Sequence, residues 1–573
     1  MNLSYQHANP STGGGSYLLR FREDARERTP CLLVDSGSGV DLDDLLADDE
    51  YLAAVVLTHA HLDHYATLAD SLRDGAPVYA AEPTANVLAD VLTEGEKNYD
   101  IGATDSVLDR LEPLDGWATV VPDVEVFPVP AGHAPGAAGF LVRFRADSRA
   151  NHLLFTGDFT SRRVAGYPGL DTDLPANVDA LFVNVSTTDD FEGTLSESLF
   201  TVTERATAGS SVLVTASALT GLHVAYLLGH LGDRLDKSIP VTLAGQVAKL
   251  YADLGYDVPN VDPVAVFEDP SDLLDRGGVT VAGPEVPNEG SARKLFDAIA
   301  DDASATLVQL TGGATDPVET AASTVYDYQL VNHPDIEVID DLVTAFDPIH
   351  VVAGHGPRSA LRQFRGRYDQ RFVWASDDHR EQTIYVDGRW SSPPWLSEPA
   401  VQSIRARDWR SNGLRVDDAE ADDLPRVTRM QAADLDAEGL DVERFEARFD
   451  GPTGESADFP VADDAAAEAE PEGESTASKT VSDAAESQSD AVVEDPEAFR
   501  RAVLDRLDAL EPGSTGATGR DPYRARVVEA GEDATLLRLL GDADLDHGEE
   551  VSVVVSDSGA ASAPGEEPDS GEK

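Results

Sequence analysis

An α/β layered protein with a second α/β unit set into it is the fold that this sequence predicts. Short runs rich in Val, Leu and Phe end repeatedly in Asp, His or Gly, as strands do where they run into polar loops. Between about Ser196 and Thr324, buried strands are each followed by a helix, which is the order of a parallel sheet with crossovers. At 573 residues the chain exceeds what one hydrophobic core normally serves, so several folded units are expected.

From Ser16 to about Phe182 the strands read as SYLLRF, PCLLVDSG, LAAVVLTH, APVYAAEP, VEVFPVPAGH, GFLVRFRA, HLLFTGD and DALFVNV. Thr67–Arg73 and Glu82–Leu92 carry helical spacing and are expected to cover that sheet. In the next stretch SVLVTA leads into a helix around Leu219–Leu231, PVTLAG into Val247–Leu254, GVTVAG into Ser291–Ile299, and ATLVQLTGG closes the series. A helix over Ile336–Ala345 and the strand HVVAGHG return to the character of the first part. The expected organisation is a core over 1–185, an inserted α/β unit over 186–325 and a return segment of the core over 326–375. TIYVDGRW reads as a hairpin, so 376–450 is expected to hold a small β appendage. Residues 451–495 are dominated by Ala, Glu, Asp, Ser and Pro and read as a disordered acidic linker. Residues 496–573 read as a helix and a small β unit with an acidic tail.

The chain carries 43 Lys and Arg against 106 Asp and Glu, a formal net charge of −63. Lysine occurs only at 97, 237, 249, 294, 479 and 573, so the positive charge is nearly all arginine. Such an excess is tolerable where salt screens self-repulsion over a few ångströms, the pattern of a halophile's cytosol. Cys31 is the only cysteine, which excludes an intramolecular disulfide and a thiolate metal cage. No basic stretch followed by an apolar run opens the sequence, and no uninterrupted apolar run is long enough to span a membrane. A cytoplasmic protein without a membrane partner is expected.

The sharpest motif is Thr58-His59-Ala60-His61-Leu62-Asp63-His64, directly after the apolar run LAAVVL. Side chains two apart on an extended segment point the same way, so His59 and His61 can grip one ion. Where the chain turns into a helix, Asp63 and His64 are directed to a second. Imidazole and carboxylate suit zinc, with manganese or iron as alternatives. Further ligands belong at strand ends, which are rigid supports. His133 in PAGHAPGAAGF, Asp158 in LLFTGDF and His355 in HVVAGHGP fit, and Asp35 in CLLVDSG is placed to orient a ligand from behind.

In order and local context these residues resemble the five motifs of the metallo-β-lactamase superfamily. The resemblance implies a four-layer αββα fold and two divalent ions. His59, His61 and His133 would hold one, Asp63, His64 and His355 the other, and Asp158 would bridge both. The interval from Asp158 to His355 is far longer than a strand–helix return requires. An α/β insertion at that point resembles the β-CASP group, the nucleic-acid-processing branch, over roughly Asn2 to Phe372. By that resemblance His333 in VNHPDIEVIDD stands where the family places a histidine facing the scissile phosphate, so Asp63 and His333 are the expected catalytic residues. The family's acidic residue at a strand end is replaced by Asn184, with Asp189 and Asp190 as the nearest carboxylates.

The function these features imply is a metal-dependent RNA-processing nuclease. A hydrolase of small esters, thioesters or phosphodiesters and a catalytically weakened RNA-binding subunit are the alternatives. RNA is the expected partner; a homodimer is an allowed state that the sequence does not require. Arg358 and Arg362 are the expected substrate contacts, within an arginine run that continues through Arg365, Arg367 and Arg371. Tyr326, Tyr328 and Phe364 are aromatic groups of the kind that either stack on bases or fill a core.

Overall fold

The computed structural model describes residues 1–146, 149–356, 358–375, 378–406, 423–449, 524–530 and 535–540. The chain divides into two units, Met1–Asp458 and Phe459–Lys573.

Two sheets pack face to face in the first unit. One has eight strands in the order Arg389–Trp390, Gln382–Val386, Asn2–His7, Tyr17–Arg22, Thr29–Val34, Glu50–Leu57, Val78–Ala81 and Leu111–Leu114. The other has seven, in the order Phe372–Ala375, His350–Gly354, Ala180–Asn184, Arg149–Phe155, Ala138–Ala146, Val124–Pro130 and Ala118–Val121. Because side chains alternate across a strand, each sheet feeds two apolar layers. Leu19, Leu32 and Val56 from the first sheet meet Phe140, Phe155 and Phe182 from the second in the layer between them. Leu18, Leu33 and Val55 point the other way, onto a layer that includes Leu68, Val87 and Leu88. Ile339, Leu342 and Val343 of the helix Ile336–Phe346 belong to the same apolar cluster as Val351 and Leu181 of the second sheet. The result is helix, sheet, sheet, helix. Aromatic rings knit the middle: Phe155 and Phe182 stack with centroids 4.1 Å apart, and Tyr5 meets Phe182 edge-on at 5.2 Å.

The third sheet lies between Asn184 and His350 in sequence. Its six strands, Val261–Val264, Val241–Ala244, Val279–Ala282, Ser211–Thr215, Ala305–Thr311 and Thr324–Gln329, are parallel throughout. The helices Ala218–Arg234, Gln246–Asp253 and Gly290–Ile299 make the crossovers. The sequence pattern located these three. It missed the helix Phe191–Thr207, whose Ser, Thr and Gly content disguises an apolar stripe of Phe191, Leu195, Leu199, Val202 and Ala206, all buried.

The VDGR turn forms as expected, with φ of 50° at Asp387 and 76° at Gly388. Its hairpin is the edge of the first sheet, because Gln382–Val386 pairs antiparallel with Asn2–His7. Residues 423–449 then return to the core. There Glu438, 0 % exposed, accepts hydrogen bonds from the amides of Ala165 and Gly166, both at 2.7 Å, and from His223 Nε2 at 2.8 Å. One carboxylate thus ties a core loop to the helix Ala218–Arg234 of the inserted unit. In the second unit Arg524–Ala530 pairs antiparallel with Thr535–Leu540. The linker expected at 451–495, the helix expected after 496 and the acidic tail lie outside the described residues.

Removing the Glu438 carboxylate leaves His223 and two amides buried without an acceptor. Glu438→Ala is expected to cost about 3 kcal/mol, read as a fall in the urea midpoint.

Core and inserted unit also meet where Asp253 faces Asp90 and Lys249 Nζ lies 3.5 Å from Asp90. Partial desolvation, with Asp90 as hydrogen-bond partner and like charge, raises the Asp253 carboxyl to about 6. A raised acid favours the folded state only while protonated, so this contribution is present below about pH 4 and lost as pH rises through about 6. Asp253→Asn is therefore expected to flatten the stability profile between pH 4 and 6. Above pH 6 it should gain about 0.5 kcal/mol, small because the site is exposed to solvent screening; urea midpoints across that range check it.

Candidate metal centre

Strand ends of both sheets of the core converge on one point. The strand Glu50–Leu57 delivers Thr58 and His59, and a single helical turn at Leu62–Tyr65 redirects the chain so that Asp63 and His64 follow. His133 follows Val124–Pro130, Asp158 follows Arg149–Phe155, and His355 follows His350–Gly354. Close approach is built in at Gly354, where an added Cβ would lie 1.6 Å from the Tyr17 hydroxyl. His355 itself adopts a left-handed φ of 55°.

Two groups of donor atoms result. His59 Nε2 and His133 Nε2 approach His61 Nδ1 to 3.1 and 3.0 Å. Asp63, His64, Asp158 and His355 form the second group, with atoms within 4.8 Å of one another. Asp158 stands between the two. Its Oδ2 lies 3.8 Å from His59 Nε2, 3.6 Å from His133 Nε2 and 3.4 Å from His64 Nε2, and its Oδ1 lies 3.5 Å from His355 Nε2. His333 also reaches this carboxylate, with Nε2 at 3.4 Å from Oδ2, and its ring stacks on His133 at 5.1 Å. All the expected ligands, and His333, are thus brought together; His133, Asp158 and His333 form a third possible donor group.

Electrostatics prepares these atoms for a cation. Burial pulls the pKa of His59 well below its ordinary value and that of His133 to about 3, so at neutral pH both present lone pairs. Burial would raise Asp158, but the surrounding imidazoles, His355 and His64 foremost, hold it well below the carboxylate range. Burial lowers His64 too, yet Asp63, Asp158 and Asp35 outweigh it and leave that imidazole well above its ordinary value. His64 Nε2 is buried and faces Asp158 Oδ2 at 3.4 Å and Asp63 Oδ2 at 3.7 Å, so an ion taken up between these groups would displace its proton. Hard carboxylate with borderline imidazole and no thiolate fits zinc, manganese or iron.

Behind the donors lies a layer that fixes their orientation. Asp35 accepts from the Thr58 amide, the Thr58 hydroxyl and His64 Nδ1, each at 2.8 Å, so His64 turns Nε2 inward. His133 Nδ1 donates to the Asn332 carbonyl at 2.7 Å. Asn332 in turn donates to the carbonyls of Gly132 and His133, and Arg162 donates to Asn332 Oδ1 at 2.9 Å and to the His333 carbonyl at 3.2 Å. Asn332 and Arg162 were not singled out from sequence. Most of these bonds run to backbone oxygens, which leave no residue-type signature.

Asn184 donates to Asp158 Oδ1 at 2.7 Å, so it anchors the central carboxylate. Asp190 accepts from the Gly193 amide and caps the helix Phe191–Thr207, while Asp189 is exposed. Arg362 is exposed on the helix Arg358–Phe364, and the Arg358 side chain lies outside the described residues. Two of their neighbours are committed elsewhere: Arg367 pairs bidentately with Asp340, and Arg371 lies 2.7 Å from Asp347. Phe364 is buried in the core.

Residues 15–195 match the metallo-beta-lactamase superfamily model. Ribonuclease TTHA0252 of Thermus thermophilus is 31% identical over 221 residues, 36% of this chain and 50% of that protein. Transcription termination factor FttA of Methanosarcina mazei is 29% identical over 150 residues, 22% of this chain and 23% of that protein. Hydroxyacylglutathione hydrolase of Yersinia enterocolitica is 36% identical over 81 residues, 14% of this chain and 32% of that protein. The chain spans half the length of the first of these relatives and less of the other two.

Asn184→Asp would replace the donor to Asp158 by a second buried carboxylate. In the presence of a chelator the variant is expected to lose about 2 kcal/mol, measured by urea denaturation.

Proposed function

We propose that this chain, which carries a metallo-beta-lactamase superfamily domain, is a two-metal hydrolase that cleaves phosphodiester bonds in RNA. The observation that carries the reading is a single buried carboxylate, Asp158, standing between two donor groups and faced by His333 from the segment that follows the inserted sheet. The similarity to a ribonuclease supports the substrate class.

His59, His61 and His133 would hold one ion and Asp63, His64 and His355 the other, with Asp158 between; zinc is the first candidate, manganese and iron the others. Such a pair, when bound, makes water a nucleophile at neutral pH and stabilises the attacking and leaving oxygens of a displacement. Asp35 fixes the face that His64 presents, and Asn332 does so for His133. Asp63 is the most exposed of the donors, so its carboxylate would be the one to accept a proton from water. His333, held by Arg162 through its own carbonyl and partly open to solvent, is placed to donate a proton to the leaving oxygen. Among the described residues no helix is long and apolar enough to cross a membrane. We assign the protein to a salt-rich cytoplasm, where molar salt would screen its repulsion of RNA.

A second reading, hydrolysis of a small thioester, draws on the similarity to hydroxyacylglutathione hydrolase. That similarity spans 81 residues, 14% of this chain.

Incubation of single-stranded RNA in molar salt with zinc or manganese tests the proposal, with lactoylglutathione as the competing substrate. RNA cleavage is expected, and His333→Ala should slow it about 100-fold while retaining the bound metal. Thioester turnover without RNA cleavage would contradict it.

A further inference from the structure

We propose that a surface of the inserted unit away from the metal centre is a binding site for single-stranded RNA. Tyr326 and Tyr328 would form its stacking platform, and Arg205, Lys237 and Arg448 its phosphate contacts. The inference rests on the nuclease reading and adds where the strand runs.

Thr324–Gln329 is the outermost strand of the six-stranded sheet, and alternation puts Tyr326 and Tyr328 on one face of it. Their rings are parallel to within 11° with centroids 6.5 Å apart, and both pack against the main apolar cluster while staying partly open to solvent. Neither hydroxyl is left to water. That of Tyr328 bonds Thr201 Oγ1 at 2.7 Å, and that of Tyr326 accepts from the Arg205 guanidinium. Tethered in this way, the rings have already lost rotamer freedom, so a base stacking on them would cost little further ordering. The Arg205 guanidinium also lies over the Tyr326 ring, 5.3 Å from its centroid.

From Arg205 the surface opens into a cleft of about 490 Å³ that Lys237, Arg448 and Phe449 also line. Among the described residues its lining holds three cations and one carboxylate, Glu204, which lies 3.3 Å from Arg448 and offsets part of that charge. In a chain of net charge −63 a polyanion is repelled over most of the surface. RNA is therefore held only where cations gather, or where stacking acts independently of charge. Glu197 lies beside Tyr328, so that part of the track offers stacking alone.

Both elements that carry the track continue toward the metal centre. His333 follows Tyr328 by five residues, at most about 18 Å of extended chain. The helix Phe191–Thr207 runs beside it, with Phe191 under the Arg162 guanidinium at the metal end and Arg205 at the cleft end, about 21 Å apart along the helix.

The test uses full-length, metal-loaded protein carrying His333→Ala and a labelled oligouridine of about 15 nucleotides, with affinity read by fluorescence anisotropy across a salt series. Adding Lys237→Gln with Arg448→Gln should reduce the slope of log affinity against log salt by about 1.4, two single-strand phosphate contacts. Tyr328→Leu should weaken binding about tenfold, and Tyr328→Phe should stay within about twofold of the parent. In the wild-type background these substitutions should leave hydrolysis of bis(4-nitrophenyl) phosphate unchanged, and melting curves report whether each variant folds. An unchanged salt slope and full affinity in Tyr328→Leu, with RNA still cleaved by the wild type, would overturn this inference and leave the nuclease reading standing. Failure of the wild type to cleave RNA at all would remove the reading beneath it. Tighter binding of polyglutamate than of oligouridine would assign the cleft to an acidic polypeptide and likewise overturn it.

Discussion

A carboxylate ringed by imidazoles is the constraint on which this architecture turns. Asp158 is buried, and nitrogens of His59, His64, His133, His333 and His355 stand within 3.8 Å of it. An isolated carboxylate in such a place would be expelled or protonated. Here the imidazoles around it, His355 and His64 foremost, keep it ionised, and the amide of Asn184 donates to it. Each of these groups rides on a strand end or on the turn just beyond it, so the sheets must twist and register correctly before the cluster can exist. Gly354 shows how little slack remains, since even a methyl group there would collide with Tyr17.

The inserted sheet and the C-terminal residues of the first unit both bear on that cluster. His333 and Asn332 follow the outermost strand of the insertion, and Asn332 holds His133 through its carbonyl. Arg162, beside the Phe191 ring, holds Asn332 and His333 together. Three residues on from Arg162, Ala165 donates to Glu438, which also receives His223. Loop, insertion and return segment are thus linked through hydrogen bonds to buried groups, each costly to leave unmade.

The cluster of candidate ligands was legible because its chemistry is local: His-x-His-x-Asp-His after an apolar strand, then a lone His or Asp ending each later strand. Layering was legible for the same reason, in apolar runs of period two and stripes of period 3.6. Asn332, Arg162 and Glu438 were not, because each acts through backbone groups or through partners up to 273 residues away. The helix Phe191–Thr207 escaped because burial of its stripe overrides the weak helix propensity of its Ser, Thr and Gly residues. Asn184 was found at the right place with an uncertain role; its amide sits on Asp158 because a carboxylate already fills the centre.

X-ray diffraction from crystals of the zinc-loaded protein, recorded on both sides of the zinc absorption edge, probes the centre most directly. The account predicts two anomalous peaks, one among His59, His61 and His133 and one among Asp63, His64 and His355, with the Asp158 carboxylate between them. A single peak, or zinc bound away from Asp158, would contradict it.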